Sequence, residues 1–327
     1  SMQDLEAIER CSHNLQQAVI VGGGLIGIEM AEMFHSRHIP VRFLVRESSY
    51  WNMVLPPEES QMVNEEICEH GIDLQLDTEL KEIIPDDNGH CRGVRTSKGE
   101  EIACGFVGLT AGVHPNVDFL RSSKIDIDKG IVVNEFLQTN IPGVYAIGDC
   151  AQLSNPPPGR RPIEAIWYVG KMMGEAVAYN ICGDPKPYAP QLWFNSAKFF
   201  NIEYQVYGQV PVSYDGALDS FFYRKDKKSL RIVFDKQTQI VVGFQNMGIR
   251  LRHEMCESWI EHQTPLKKVL AQLNAAFFDP EFSSSFHRAF IAHYNELQNG
   301  EIPLPKKGGL AAFWAGMSSL KKVTTNH

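Results

Sequence analysis

Val19-Ile20-Val21 runs directly into Gly22-Gly23-Gly24-Leu25-Ile26-Gly27. No other feature narrows what this chain can fold into as far. A short, continuous apolar run is suited to a strand buried on both faces. The glycines that follow open a helix over about Leu25 to His38. In a G-x-G-x-x-G placed this way, Gly22 permits the tight turn, Gly24 lets backbone approach a pyrophosphate, and Gly27 allows close helix–strand packing. The helix start at Leu25 and Ile26 presents unpaired N–H groups and the positive end of the dipole. Val41 to Val45 reads as a second buried strand, Glu58 to His70 as a helix between Pro56-Pro57 and Gly71, and Ile72 to Leu76 as a third strand. A β-α-β-α-β order demands parallel pairing with right-handed crossovers, the Rossmann-like arrangement that binds dinucleotides.

The end of the second strand in such a unit faces the adenosine ribose, where an acid suits a free 2′-OH and an arginine suits a 2′-phosphate. This chain places Arg46 and Glu47 side by side there. The two point in opposite directions, to NADP and to NAD, and the choice stays open at this level.

Beyond residue 78 the pattern changes. Segments 79–84, 90–96 and 100–104, with a turn at Ser97-Lys98-Gly99, read as an antiparallel meander, and Phe106 to Thr110 as a return to the parallel sheet. Short strands are expected at 131–133 and 144–147, and a long helix from Ile163 to Ile181 after the Pro/Gly-rich loop 155–162. Strands at 203–210, 219–224, 229–234 and 239–245 precede helices at 251–263 and 265–298. Residues 299–327 read as a tail or a partner-docking segment.

A second motif is sharper. Thr139, six residues, then Ala146-Ile147-Gly148-Asp149 resembles the second flavin fingerprint of the pyridine nucleotide–disulfide oxidoreductase superfamily. The resemblance implies that Asp149 binds the ribityl chain of FAD and that Gly148 permits close backbone approach. Gly112-Val113-His114-Pro115-Asn116 is similar to the family's passage from the nicotinamide domain to the flavin domain, which puts Gly112 at the NAD(P) site. Glu29 matches the glutamate two residues after the last glycine, near the nicotinamide. Glu164, Ala165, Ile166 and Trp167 match the helix start aimed at the flavin pyrimidine, where a reduced, anionic flavin would be stabilised. Ferredoxin/rubredoxin reductase-like and nitrite reductase-like members are the best match, over residues 1 to about 298.

The resulting expectation is an α/β protein with a linker helix (1–18), a Rossmann-like NAD(P)-binding domain with an antiparallel meander (19–112), the C-terminal part of an FAD-binding domain (113–190) and an α+β C-terminal interface domain (191–298). Hydride would pass from NAD(P)H to FAD, and electrons onward to an acceptor, a small molecule or a redox protein. The other reading is a non-catalytic nucleotide-binding or partner-docking module. The family's first G-x-G-x-x-G, on a flavin-binding βαβ unit, has no match here. The expectation is therefore either disorder or rearrangement in 113–160, or burial of its strands against a second copy or a separate flavin-half polypeptide. No catalytic residue, triad or metal set stands out. A net charge of −8 argues against a nucleic-acid partner, and no apolar run reaches the roughly 20 residues of a membrane span. Seven scattered cysteines without a C-x-x-C point to a reducing cytoplasm.

Overall fold

The structure is a computed structural model that describes residues 2–157, 159–214, 216–298, 300 and 302–304. Apart from residues 300 and 302–304, the expected tail lies outside them. The chain divides into two compact units, residues 1–111 with 196 onward, and residues 112–195.

The first unit opens with α1 (Met2–Ser12), β1 (Ala18–Val21), α2 (Leu25–Ser36), β2 (Val41–Leu44), α3 (Pro57–Glu69) and β3 (Asp73–Gln75). The antiparallel meander β4 (Leu80–Pro85), β5 (Cys91–Thr96) and β6 (Glu101–Ala103) follows, then β7 (Phe106–Leu109). The sheet order is β3-β2-β1-β7, all parallel, so the chain returns to the sheet after the meander as its apolar pattern implies. Val19, Ile20, Phe43 and Leu44 are fully buried, as expected of central parallel strands covered on both faces.

The second unit contains β8 (Ile131–Val133), β9 (Ala151–Leu153) and α4 (Trp167–Ile181). β8 and β9 form a two-stranded parallel sheet whose Val133 and Leu153 pack with Val169, Met173 and Val177 of α4. The strand expected at 144–147 is reduced to a single bridge, Gln138 to Tyr145. Thr139 explains the difference. Its hydroxyl accepts from the Ile141 N–H (3.1 Å) and donates to the Val144 carbonyl (3.1 Å), folding the segment into a tight turn. α4 starts four residues later than expected. Glu164 is held by Arg160 through two contacts (2.8 and 2.6 Å), and Ile166 is extended.

The remainder of the first unit is a five-stranded sheet of β10 (Phe194–Phe199), β11 (Ile202–Gly208), β12 (Leu218–Lys225), β13 (Lys228–Asp235) and β14 (Val241–Met247), in the order β10-β11-β14-β13-β12. The helices α5 (His253–Glu261), α6 (Leu266–Gln272) and α7 (Pro280–Gln298) follow, a 3-10 turn at Leu273–Ala276 interrupting what reads as one helix in the sequence. This sheet shares one core with the parallel sheet β3-β2-β1-β7 and its helices. Phe199, Phe200, Ile202, Tyr204 and Met247 pack with Ile20, Phe43, Tyr50, Met62 and Ile67. Across that contact Arg231 of β13, almost fully buried, makes two 2.8 Å bonds to the carboxylate of Glu59 on α3. Its Nη2 also donates to Glu58 and its Nη1 to Ser220 Oγ, each at 2.8 Å, and the guanidinium lies 4.5 Å over the ring of Phe222. Lys227 joins Glu66, whose other oxygen accepts from the Asn201 N–H (3.1 Å).

Removing one partner of a buried ion pair leaves the other desolvated and unpaired. Arg231→Leu is therefore expected to lower the unfolding free energy by about 3–5 kcal/mol, and Arg231→Leu with Glu59→Leu to recover most of it. Urea unfolding at neutral pH reads both; equal losses would show that only side-chain volume matters there. A second expectation concerns His287, buried on α7 beside Phe277. Burial pushes its imidazole down to about 4, from 6.5 in an exposed chain. Between those values the unfolded chain binds the extra proton. Stability is therefore lost as pH falls from 6.5 towards 4, by up to about 3 kcal/mol. His287→Leu should flatten that slope, and an unchanged slope in its denaturation curves would assign the effect to other groups.

Candidate functional site

The glycines at the end of β1 do three different jobs. Gly22 has φ 122°, and a Cβ there would lie 2.5 Å from the Thr110 carbonyl oxygen. A Cβ on Gly27 would lie 2.4 Å from the Gly22 carbonyl oxygen and 2.8 Å from Thr110 Oγ1. Both positions are closed by backbone. Gly24 differs: it is extended (φ −110°, ψ 178°), caps α2 without a side chain, and a Cβ there would meet nothing within 4 Å. The result is an open cradle at a helix N-terminus, where N–H groups lack intrahelical acceptors. Leu25 packs partly into the core, while Ile26 and Glu29 are exposed on the first turns of α2.

The structure adds a residue that the sequence does not single out. The Tyr50 hydroxyl donates to the Gly24 carbonyl at 2.8 Å, while its ring is buried between Phe43 and Phe199. Its own N–H and C=O are held by Asn64 (3.0 Å) and Ser60 (2.6 Å) of α3. Burial, and secondarily the Glu29 carboxylate, push the phenol well above its ordinary range, so it remains a donor at any physiological pH. No spacing rule marks an aromatic residue six positions after a strand.

At the end of β2, Arg46 and Glu47 pair with each other, Nε to Oε1 at 2.7 Å. The other Glu47 oxygen lies 3.8 Å from where a Gly23 Cβ would stand, facing the glycine loop. Arg46 is 74% exposed and Glu47 25%, so the acid lines the loop and the guanidinium points to solvent. Gly112, φ 120°, has open space where a Cβ would be.

In the second unit Gly148 adopts φ 74° at the start of a 3-10 turn over Gly148–Cys150, again with nothing within 4 Å of a Cβ position. Its N–H points at Met173 Sδ (3.4 Å), and Gly170 lets α4 approach it closely. Asp149 is exposed and makes no hydrogen bond or ion pair among the described residues. Trp167, at the N-terminus of α4, is 71% exposed, and Ala165 is exposed beside it. Ile166 caps α4 without a side-chain bond. Glu164 is buried and committed to Arg160, which leaves its carboxylate out of the surface that Asp149 and Trp167 offer.

A family model described as pyridine nucleotide-disulphide oxidoreductase matches residues 1–174, more than half of the chain. The chain belongs to this family. It is 26% identical over 242 residues to the nitrite reductase [NAD(P)H] of Bacillus subtilis, covering 73% of this chain and 27% of that protein. It is 33% identical over 156 residues to the nitric oxide reductase FlRd-NAD(+) reductase of Klebsiella pneumoniae, covering 47% and 40%. The chain thus spans well under half the length of these relatives. A NAD-dependent persulfide reductase from A. fulgidus has the same fold, with a TM-score of 0.72 at 21% identity over 86% of this chain and 55% of that one. The α/β architecture and the family expected from the two glycine motifs are therefore both met.

The glycine geometry separates stability from site shape. Gly27→Ala forces backbone apart and is expected to cost about 1–3 kcal/mol. Gly24→Ala meets no atom and no forbidden backbone angle, so its unfolding free energy should stay within about 0.5 kcal/mol of wild type. Thermal unfolding of the two variants checks the contrast.

Proposed function

We propose that this chain works as part of an FAD-dependent NAD(P)H oxidoreductase, with residues 19–112 holding the nicotinamide dinucleotide and residues 113–190 contributing to the flavin site. The observation that carries the reading is the open cradle at Gly24, between two glycines closed by backbone. A pyrophosphate there would receive the N–H groups of Gly24, Leu25 and Ile26, while Gly22 and Gly27 keep the turn tight enough to aim them. Tyr50 fixes the Gly24 peptide from behind. Glu29 stands on the next turn, and Gly112 lets the chain pass without a side chain. Residues of 113–190 would hold FAD, which when bound would supply the hydride and electron-transfer chemistry toward an acceptor, a small molecule or a redox protein. The open Gly148, the unpaired Asp149 and the exposed Trp167 suit the ribityl chain and ring of that flavin. Ala165 and Ile166 lead into the helix start beside them, and Glu164 supports the segment through Arg160. We read the 191–298 region as an interface domain, a reading supported by its α+β make-up and its position after the flavin-type segment.

Between the two nicotinamide cofactors the geometry favours NADH. A carboxylate facing the loop accepts hydrogen bonds from a ribose diol and repels a 2′-phosphate. Calorimetric titration should show NADH binding more tightly than NADPH, with Arg46→Ala changing NADH affinity less than twofold. A larger loss of NADPH than NADH in that variant would instead assign Arg46 to a phosphate. Gly24→Val should fold normally and lose at least about a hundredfold in affinity, roughly 3 kcal/mol. Tyr50→Phe, lacking one internal hydrogen bond, should lose about three- to tenfold in affinity with a melting temperature lowered by only a few degrees. Undiminished binding in Gly24→Val would remove the loop from the site.

A further inference from the structure

The seven cysteines show no pairing pattern in the sequence, yet the fold brings two of them together. Cys91 opens β5, and Cys104 follows β6 directly. The β5–β6 ladder ends at Gly93 opposite Ala103, and beyond it the two sulfurs approach to 3.9 Å. No other pair of cysteine sulfurs makes such a contact among the described residues. A register irregularity between Ile84 and Pro85 lies opposite Cys91 at that end of β5. The neighbours are apolar: Cys104 lies in a cluster with Val19, Leu44, Val94 and Ile102, and Cys91 packs against its edge.

We propose that Cys91 and Cys104 form a reversible disulfide by exchange with a low-molecular-weight disulfide. The two thiols are unequal in a way that sets the order of steps. Cys91 is partly exposed and is the point of entry. Cys104 is buried; burial first, and then its Cys91 neighbour, push its thiol up to about 12, which leaves the first attack to Cys91. The Cys91 thiolate attacks one sulfur of the small disulfide. A Cys91–S bond to that half forms, the small S–S bond breaks, and the released thiolate takes a proton. The Cys104 sulfur then displaces the attached half from Cys91, its proton passing to the departing thiolate. Two protein thiols are oxidised and one small disulfide is reduced to two thiols. Closing from 3.9 Å to the roughly 2.05 Å of a disulfide requires side-chain rotation at the strand ends.

The bond would tie β5 to the segment that leads into β7, the strand paired with β1. Because β7 leads directly into Thr110, which holds the Gly22 turn, the link would brace the sheet under the glycine loop. The inference is independent of any reading of the bound nucleotide. It also differs in place and role from a redox centre beside a flavin, since it lies within the nucleotide-type unit.

The test uses the full chain. Glutathione disulfide is added, free thiols are blocked, and tryptic peptides are read by mass spectrometry; Cys91 and Cys104 fall on separate peptides, ending at Arg92 and Arg121. A linked pair is expected, reversed by dithiothreitol, with a melting temperature raised by about 3–8 °C over the reduced protein. Cys104→Val should stop at a persistent glutathione adduct on Cys91, and Cys91→Ser should leave Cys104 unmodified in the folded chain. A glutathione adduct that persists on wild-type Cys91, or recovery of both thiols free, would overturn the pairing. A linked peptide with no rise in melting temperature would overturn the bracing role. The wild-type peptide result stands whether or not the variants fold.

Discussion

Backbone meets backbone at Gly22, Gly27 and Thr110, and much of the first unit is arranged around that contact. The Thr110 hydroxyl donates to the Val21 carbonyl at 2.9 Å, at the end of β7, while its backbone closes the space beside Gly22. The Gly22 carbonyl in turn closes the space at Gly27. With three pieces of main chain this close, the angle at which α2 leaves β1 has little latitude. That angle places the Gly24 peptide, and Tyr50 and Glu47 are ordered against it from the loop after β2. A side chain at either closed position would move the helix start, so the open cradle at Gly24 exists because its neighbours are shut.

The five-stranded C-terminal sheet is joined to this unit by two kinds of contact with different weights. The Glu59–Arg231 pair is well made, but desolvating two charges consumes most of the Coulomb gain, so the pair contributes little net stability over an apolar substitute. Its role is in alignment, since any shift of β13 along α3 would strand a buried charge. The stabilising work falls to the aromatic and aliphatic surface, where Tyr50, Trp51, Phe199 and Tyr204 meet at ring distances of 5.7–6.0 Å. Tyr50 belongs to that cluster and to the glycine loop at once. Tyr50 thereby connects the C-terminal sheet to the loop.

The second unit solves a similar packing problem with other residues. The small Gly170 lets α4 lie against the Gly148 turn, and the left-handed conformation of Gly148 turns the chain so that Asp149 faces outward. Thr139 uses its hydroxyl twice within one turn, which sharpens the chain reversal and costs the segment after it a regular strand.

The sequence by itself determined the β-α-β-α-β order, the tight glycine turn that closes at Gly22 and Gly27, the meander, the return of β7 and the family. Each of these rests on constraints that act over a few residues: the period of apolar positions, the angles glycine permits, and a turn that only small residues fit. Helix starts and strand lengths were less legible where a side chain overrode the local pattern, as Arg160 does at Glu164 and Thr139 does before 144–147. The tertiary structure alone decided the rest. Tyr50 reaches Gly24 across 26 positions, Arg231 reaches Glu59 across 172, and Cys91 meets Cys104 only past the end of a ladder. The orientation of Glu47 toward the loop, and of Arg46 away from it, belongs with them. Such contacts leave no periodic trace, because they depend on where two separately folded surfaces come to rest rather than on how either segment folds.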